Sequence, residues 1–163
     1  MLALRYVYVL ALVIWLGGMV ILGALVAPTT FQVLPSIEPS SGRALAGELF
    51  GTTIARFHYV AYGAGGILLV TLAAMARLAS RPAGYAVRGA LVACMLAAAL
   101  YSGLVVLTRI DAIQRDVGVL VSSLPADDTL RLEFDRLHLL STRLMMLSMV
   151  GGLALVYWEA RER

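Results

Sequence analysis

The chain has 163 residues, 61% of them hydrophobic, a mean hydropathy of +0.87 and a formal net charge of +3. Soluble domains are about 45–50% apolar, and a globule this short has no interior for such an excess, so composition excludes a water-soluble domain and indicates an integral membrane protein. All thirteen basic residues are arginine and none form a run, which argues against nucleic acid as a partner, and the lone Cys94 excludes a disulfide or thiolate cluster within the chain.

Four stretches are long and apolar enough to cross a bilayer, which takes about 20 residues: about 4–27, 57–79, 87–108 and 137–158. Lipid cannot satisfy the free edges of a strand, so each is expected to be a helix. The fold class is therefore all-α: one four-span domain over residues 1–163, an integral membrane four-helix bundle with two long, partly helical connections on one side. The first stretch is longer than the roughly 7–15-residue core of a signal peptide, and "ALVAP" offers no A-x-A cleavage site, so it is expected to remain as a span. Tyr6, Tyr8, Tyr157 and Trp158 suit an interfacial aromatic belt, whereas Trp15 sits deep enough for the core.

The first connection, "PTTFQVLPSIEPSSGRALAGELFGTTIAR", opens with proline punctuation and then reads as a helix from about Ser41, with Leu45, Leu49 and Ile54 near one face. The second span follows, then a short turn, "RLASRPAGYAVR", carrying Arg77, Arg81 and Arg88. The third span contains Cys94, which reads as a small buried apolar residue. After it, "RIDAIQRDVGVL" sets Ile110, Ile113 and Val117 in a stripe and pairs Asp111 with Arg115 at i,i+4. Asp127 and Asp128 then stand where carboxylates suit a helix start. Leu130, Phe134, Leu137 and Ser141 share a face, so the fourth helix is expected to begin before the membrane.

Arginines divide equally between the two sides: Arg5, Arg77, Arg81, Arg88, Arg161 and Arg163 against Arg43, Arg56, Arg109, Arg115, Arg131 and Arg136. Arg5 beside the first span and the three arginines of the short turn favour both termini in the cytoplasm of a cell-membrane protein. Glycines and alanines at close spacing (Gly17, Gly18 and Gly23; Gly63, Gly65 and Gly66; Gly89, Ala93 and Ala97; Gly151 and Gly152) suit close helix packing rather than a phosphate-binding loop.

No hydrolase triad is visible and no span holds paired carboxylates. The two histidines stand in matching contexts: "ARFHYV" carries Arg56 and His58, and "DRLHLL" carries Arg136 and His138. Each opens a span after a long connection and precedes a glycine pair, which points to a weak repeat of two parallel hairpins. In an up-down bundle the second and fourth helices are diagonal, so His58 and His138 could share a metal or clasp a haem. His138, Ser141, Thr142, Met145, Met149 and Gly152 fall near one helical face, a donor set suited to copper or haem iron. The plain alternatives are methionine as core filler and histidine bonded to a neighbouring backbone. Arg143, roughly 10 Å deeper than Arg136 at 1.5 Å per residue, is expected to snorkel or pair with an acid, and Arg56 and Arg136 to hold the outer interface.

"LALVIWLGGMV", "APTTFQVLP", "AGELF" and "FDRLHLLS" together resemble a family of small bacterial membrane proteins, domain of unknown function 4149, akin to transmembrane protein 205. Phe134, Leu137, His138 and Ser141 are similar to its F-x-x-L-H-x-x-S signature. Gly51 stands where such proteins often have proline, Met145 where they often have asparagine, and His58 matches no family signature. The resemblance implies a four-helix membrane protein of unestablished role. Distant similarity to copper-resistance protein D and haem-binding membrane proteins implies a metal or haem b as ligand. Three functions follow: binding or handling a small ligand in the bundle without catalysis; an assembly partner for other membrane proteins or further copies of itself; and a haem-dependent membrane oxidoreductase.

Overall fold

The computed structural model describes residues 2–78, 84–118 and 120–161, and every regular element among them is helical. Arg81, Arg163 and Ala79, the last residue of the second expected span, lie outside the described residues. Helix α1 (Leu2–Ile21) passes through a π-helical turn, Leu22–Val26, into α2 (Ala27–Ile37). After a turn at residues 38–41, α3 (Gly42–Leu78) runs unbroken. Helix α4 (Tyr85–Tyr101) passes through a second π-helical turn, Ser102–Val106, into α5 (Leu107–Val117). A single 3-10 turn, Val121–Ser123, leads to α6 (Thr129–Arg161).

The result is four rods of 36, 37, 33 and 33 residues, each long and apolar enough to cross a membrane, and the chain is a multi-pass membrane protein. At 1.5 Å per residue the rods are about 50–55 Å long, against about 30 Å of hydrocarbon. Some 20 Å of each therefore overhangs. This accounts for the long connections of the sequence reading: most of their residues extend the spans, and the first connection itself shrinks to four residues. The prolines do not end the first helix. Pro28 sits in the first turn of α2 directly after the π turn, and Pro35 lies inside α2. At the equivalent place in α5 stands Thr108, so the π turn is not a response to proline.

Local chemistry closes the ends. The Asp128 carboxylate accepts the N–H groups of Leu130 at 2.8 Å and Arg131 at 3.3 Å, capping α6. Gly118, at φ 64°, ends α5 with its N–H on the Gln114 carbonyl. A Cβ on Gly42 would stand 2.3 Å from the Leu34 carbonyl oxygen, so the tight α2–α3 turn needs glycine there.

The rods form a square: α1 packs on α3 and α6, and α4 packs on α3 and α6, leaving α3 and α6 diagonal. The contiguous core joins Tyr8, Leu12 and Trp15 of α1 to Leu68 and Leu72 of α3, Val92 and Met95 of α4, and Leu155 of α6. All lie in the half of the bundle nearer the termini. Close approach is made at particular glycines: a Cβ on Gly65 would meet Leu96 at 2.9 Å and Trp15 at 3.1 Å, and one on Gly151 would meet Met95 at 2.9 Å. Gly17, Gly63 and Gly66 face open space, so only part of the small-residue pattern serves packing.

Several expectations are corrected. Leu45 and Leu49 face outward, 45% and 53% exposed, while Ala46 is buried and Phe50 turns inward. Cys94 is exposed on the outer face. Leu45 and Leu49 thus do not share the face of Ile54, which lines the interior; for Cys94, within a span, the outside is apolar lipid, so hydrophobicity does not say which face is inside. Arg115 donates to the backbone carbonyl of Asp111 at 3.2 Å rather than to its carboxylate. Arg88 is no turn residue. It lies on α4, fully buried, with its guanidinium 2.5 Å from the Glu159 carboxylate of α6 and 4.9 Å from the ring centroid of Tyr8. Arg5 also bonds Glu159, through its side chain and its backbone carbonyl. Tyr8, expected in the interfacial belt, is wholly buried beneath Arg88.

The two hairpins register at a constant offset of 80 positions: π turns at 22–26 and 102–106, helix ends at 37 and 117, histidines at 58 and 138. Buried positions repeat likewise, with Tyr8, Leu12, Trp15, Met19 and Leu22 answered by Arg88, Val92, Met95, Ala99 and Ser102. Two parallel copies of one hairpin build the bundle.

Candidate functional site

Beyond the packed half the hairpins part. Helix α2 stays on α3 and α5 on α6, with no comparable packing of α2 against α5 or α6 among the described residues. Between them lies a cavity of about 360 Å³, bounded at its inner end by Trp15, Met19 and Ser148 and at its outer end by Phe31, Phe50 and Gln114. Its size and mostly apolar lining, with few polar groups, suit a small-molecule site.

Both histidines line this cavity, one from each hairpin, on the diagonal helices α3 and α6. His58 Nδ1 lies 2.9 Å from the carbonyl oxygen of Ile54. A carbonyl only accepts, so Nδ1 carries the proton, and the neutral ring keeps its lone pair on Nε2. The backbone-bonded histidine foreseen as the plain reading is thus what His58 shows; the same bond fixes its tautomer, as second-shell bonds do for metal-binding histidines. His138 stacks on Phe134 one turn earlier, centroids 6.3 Å apart and planes at 10°. Its carbonyl accepts the Thr142 hydroxyl at 3.0 Å.

The second π turn is built into the wall. A Cβ on Gly103 would lie 2.1 Å from Tyr62 Oη and 2.7 Å from His58 Cδ2, so the absence of a side chain there admits both rings. Tyr62 Oη lies 3.5 Å from the Ala99 carbonyl, and the hydroxyls of Ser102 and Ser141 are 3.5 Å apart across the α4–α6 contact. Both π turns contribute to the lining, through Leu22 and Gly23 in one rod and Ser102 in the other; π turns recur at functional sites because they re-aim a helix face.

Of the residues singled out in the sequence, His58, Phe134, His138, Ser141, Thr142 and Met145 line the cavity. Met149 does not; it packs against the terminal-side core. Arg56, Arg136 and Arg143 are exposed and outside it. Asp111, Gln114, Ser102 and Ser148 line it without having been singled out for it. The signal for the first two was present: Leu107, Ile110, Asp111 and Gln114 follow i, i+3, i+4, i+7 spacing, but Asp111 had been assigned to Arg115. Among the described residues no group of three or more His, Cys, Asp or Glu side chains is placed to hold a metal ion.

At the overhang, Arg109 of α5 grips the Glu133 carboxylate of α6 with two bonds of 2.7 and 2.9 Å, holding the outer end of the second hairpin together. No curated protein and no solved structure matches the chain. One family model does, over residues 10–118, so the match rests on the first three rods and stops short of His138 and Ser141. The chain belongs to the family described as Domain of unknown function (DUF4149).

Proposed function

We propose that this protein binds a small ligand in the cavity between its hairpins, the whole chain acting as one four-span domain in the cell membrane with both termini in the cytoplasm. His58 and His138 supply polar contacts from opposite walls. One observation carries this reading: a histidine from each copy of the repeat borders the same cavity. Native mass spectrometry of protein drawn from its own membrane in mild detergent tests it. The wild type should carry a bound species that the folded His58→Ala/His138→Ala variant lacks. Wild type with an empty cavity, and no change in the variant, would overturn it.

A soft metal ion is the second reading, favoured by the fixed His58 tautomer and by the Met145 thioether in the lining. Two imidazoles and a thioether suit Cu(I). Metal analysis after copper loading, with Met145→Leu as the diagnostic variant, separates this from an organic ligand. Haem b fits less well: the cavity is small for a porphyrin, and no arginine or lysine lines it to receive two propionates. The oxidoreductase reading loses its support with it.

A further inference from the structure

We infer that the cavity selects an amphipathic organic cation, with its apolar body against the first hairpin and its charge toward Asp111 on the second. This rests on the ligand-binding reading above and names the class of ligand.

The two walls are copies of one hairpin, yet the first is apolar apart from His58, while the second mixes polar with apolar side chains. At repeat-equivalent lining positions Leu22 is answered by Ser102, Phe31 by Asp111 and Ala61 by Ser141, while Ala27 and Ile54 are answered by the equally apolar Leu107 and Phe134. The first hairpin adds Trp15, Phe50 and Phe57; the second adds Gln114, Thr142 and Ser148. A cavity whose polar groups, His58 apart, all come from one wall orients a molecule that is itself two-sided.

Charge sets the sign. Asp111 is the one acidic residue among the lining residues, and no arginine is among them. Of the neighbouring arginines, Arg109 is bound to Glu133, while Arg115, bonded to the Asp111 backbone carbonyl, acts on the Asp111 carboxylate through space without forming an ion pair. Among the described residues the Asp111 carboxylate has no ion pair. Asp111 is exposed where it borders the cavity, so a cation can reach its carboxylate, and aromatic faces attract cations. An anion would meet the Asp111 carboxylate with no arginine in the lining to offset it. The volume of about 360 Å³ limits the ligand to a compact molecule, on the scale of one substituted ring.

Phenyltrimethylammonium and its neutral isostere tert-butylbenzene differ in one nitrogen and one charge. Binding of each to the detergent-solubilised full chain is followed by the fluorescence of Trp15 in a Trp158→Phe background. The cation should bind at least tenfold more tightly. Asp111→Asn should erase that preference and leave tert-butylbenzene binding unchanged, and Asp111→Glu should restore it. Equal or tighter binding of tert-butylbenzene overturns the cation assignment while leaving the ligand-binding cavity standing. A preference that survives Asp111→Asn overturns the role of Asp111. Binding of neither probe overturns both the assignment and the cavity reading.

Discussion

Tyr8 and Arg88 occupy the same position in the two hairpin copies, and they touch: the guanidinium carbon of Arg88 lies 4.9 Å from the Tyr8 ring centroid. The repeat thus sets a cation over an aromatic face across the diagonal between the equivalent helices α1 and α4. The buried arginine is tolerated because Glu159 neutralises it, and Glu159 in turn binds Arg5. Three rods are fastened at the end that carries the termini.

The fastening predicts an ordering of variants. Removing one member of a buried ion pair costs about 3–5 kcal/mol. Arg88→Met leaves Glu159 with Arg5, whereas Glu159→Gln removes the one carboxylate charge that both Arg5 and the buried Arg88 bind. Glu159→Gln should therefore lower the thermal unfolding midpoint in detergent more than Arg88→Met does. The double variant should recover part of the loss. An equal or reversed order would show that Arg5 carries the neutralisation.

Glycines should divide by what they face. Gly103→Ala drives a methyl into Tyr62 Oη and His58, and should destabilise the protein and perturb the His58 ring resonance in NMR. Tyr62→Phe, which removes the clashing hydroxyl, should recover part of that loss. Gly63→Ala meets nothing within 4 Å and should stabilise by about 0.5–1 kcal/mol, the ordinary gain of alanine in a helix.

The second π turn sets the rotation of α5. Deleting Leu104, which faces outward, converts the turn to α-helix and rotates everything beyond by about 100°. In a Cys94→Ala background, cysteines replacing Arg109 and Glu133 should cross-link in the intact chain and fail to do so after the deletion. Efficient cross-linking in both would mean that the bulge does not govern the helix face.

Orientation is open to chemical labelling. With Cys94→Ala, cysteines at Ser40 and Ser123 should react with a membrane-impermeant maleimide on intact cells, and one at Arg77 only after lysis. The reverse pattern would invert the assigned orientation. Opposite behaviour of Ser40 and Ser123 would contradict parallel hairpins.

Length and hydropathy disclosed the four spans, and the Arg-x-His spacing hinted at the repeat that the π turns make plain. The depth of Trp15 and the helix start at Asp128 were also legible, because depth follows from counting residues and capping is local chemistry. Which face points inward was not. Cys94 is apolar and lies outside within a span; Arg88 is charged and lies inside. Periodicity locates a core when the surroundings are water, and it loses that power in lipid. The partner of Arg88 was hidden for a further reason: Glu159 lies 71 residues away along the chain. The cavity was only half legible, since its polar wall depends on a π turn that no residue in "YSGLVVL" announces.

The close-packed core ends where the cavity begins, so the molecule has a solid floor beneath an open chamber. In this conformation nothing crosses it from face to face. On the ligand-binding reading proposed above, a solute that enters between the hairpins would meet the packed core and leave by the way it came, as in a receptacle rather than a conduit. Exchange with a partner or with the membrane would then take place at one surface only, the one where the rods rise clear of the lipid.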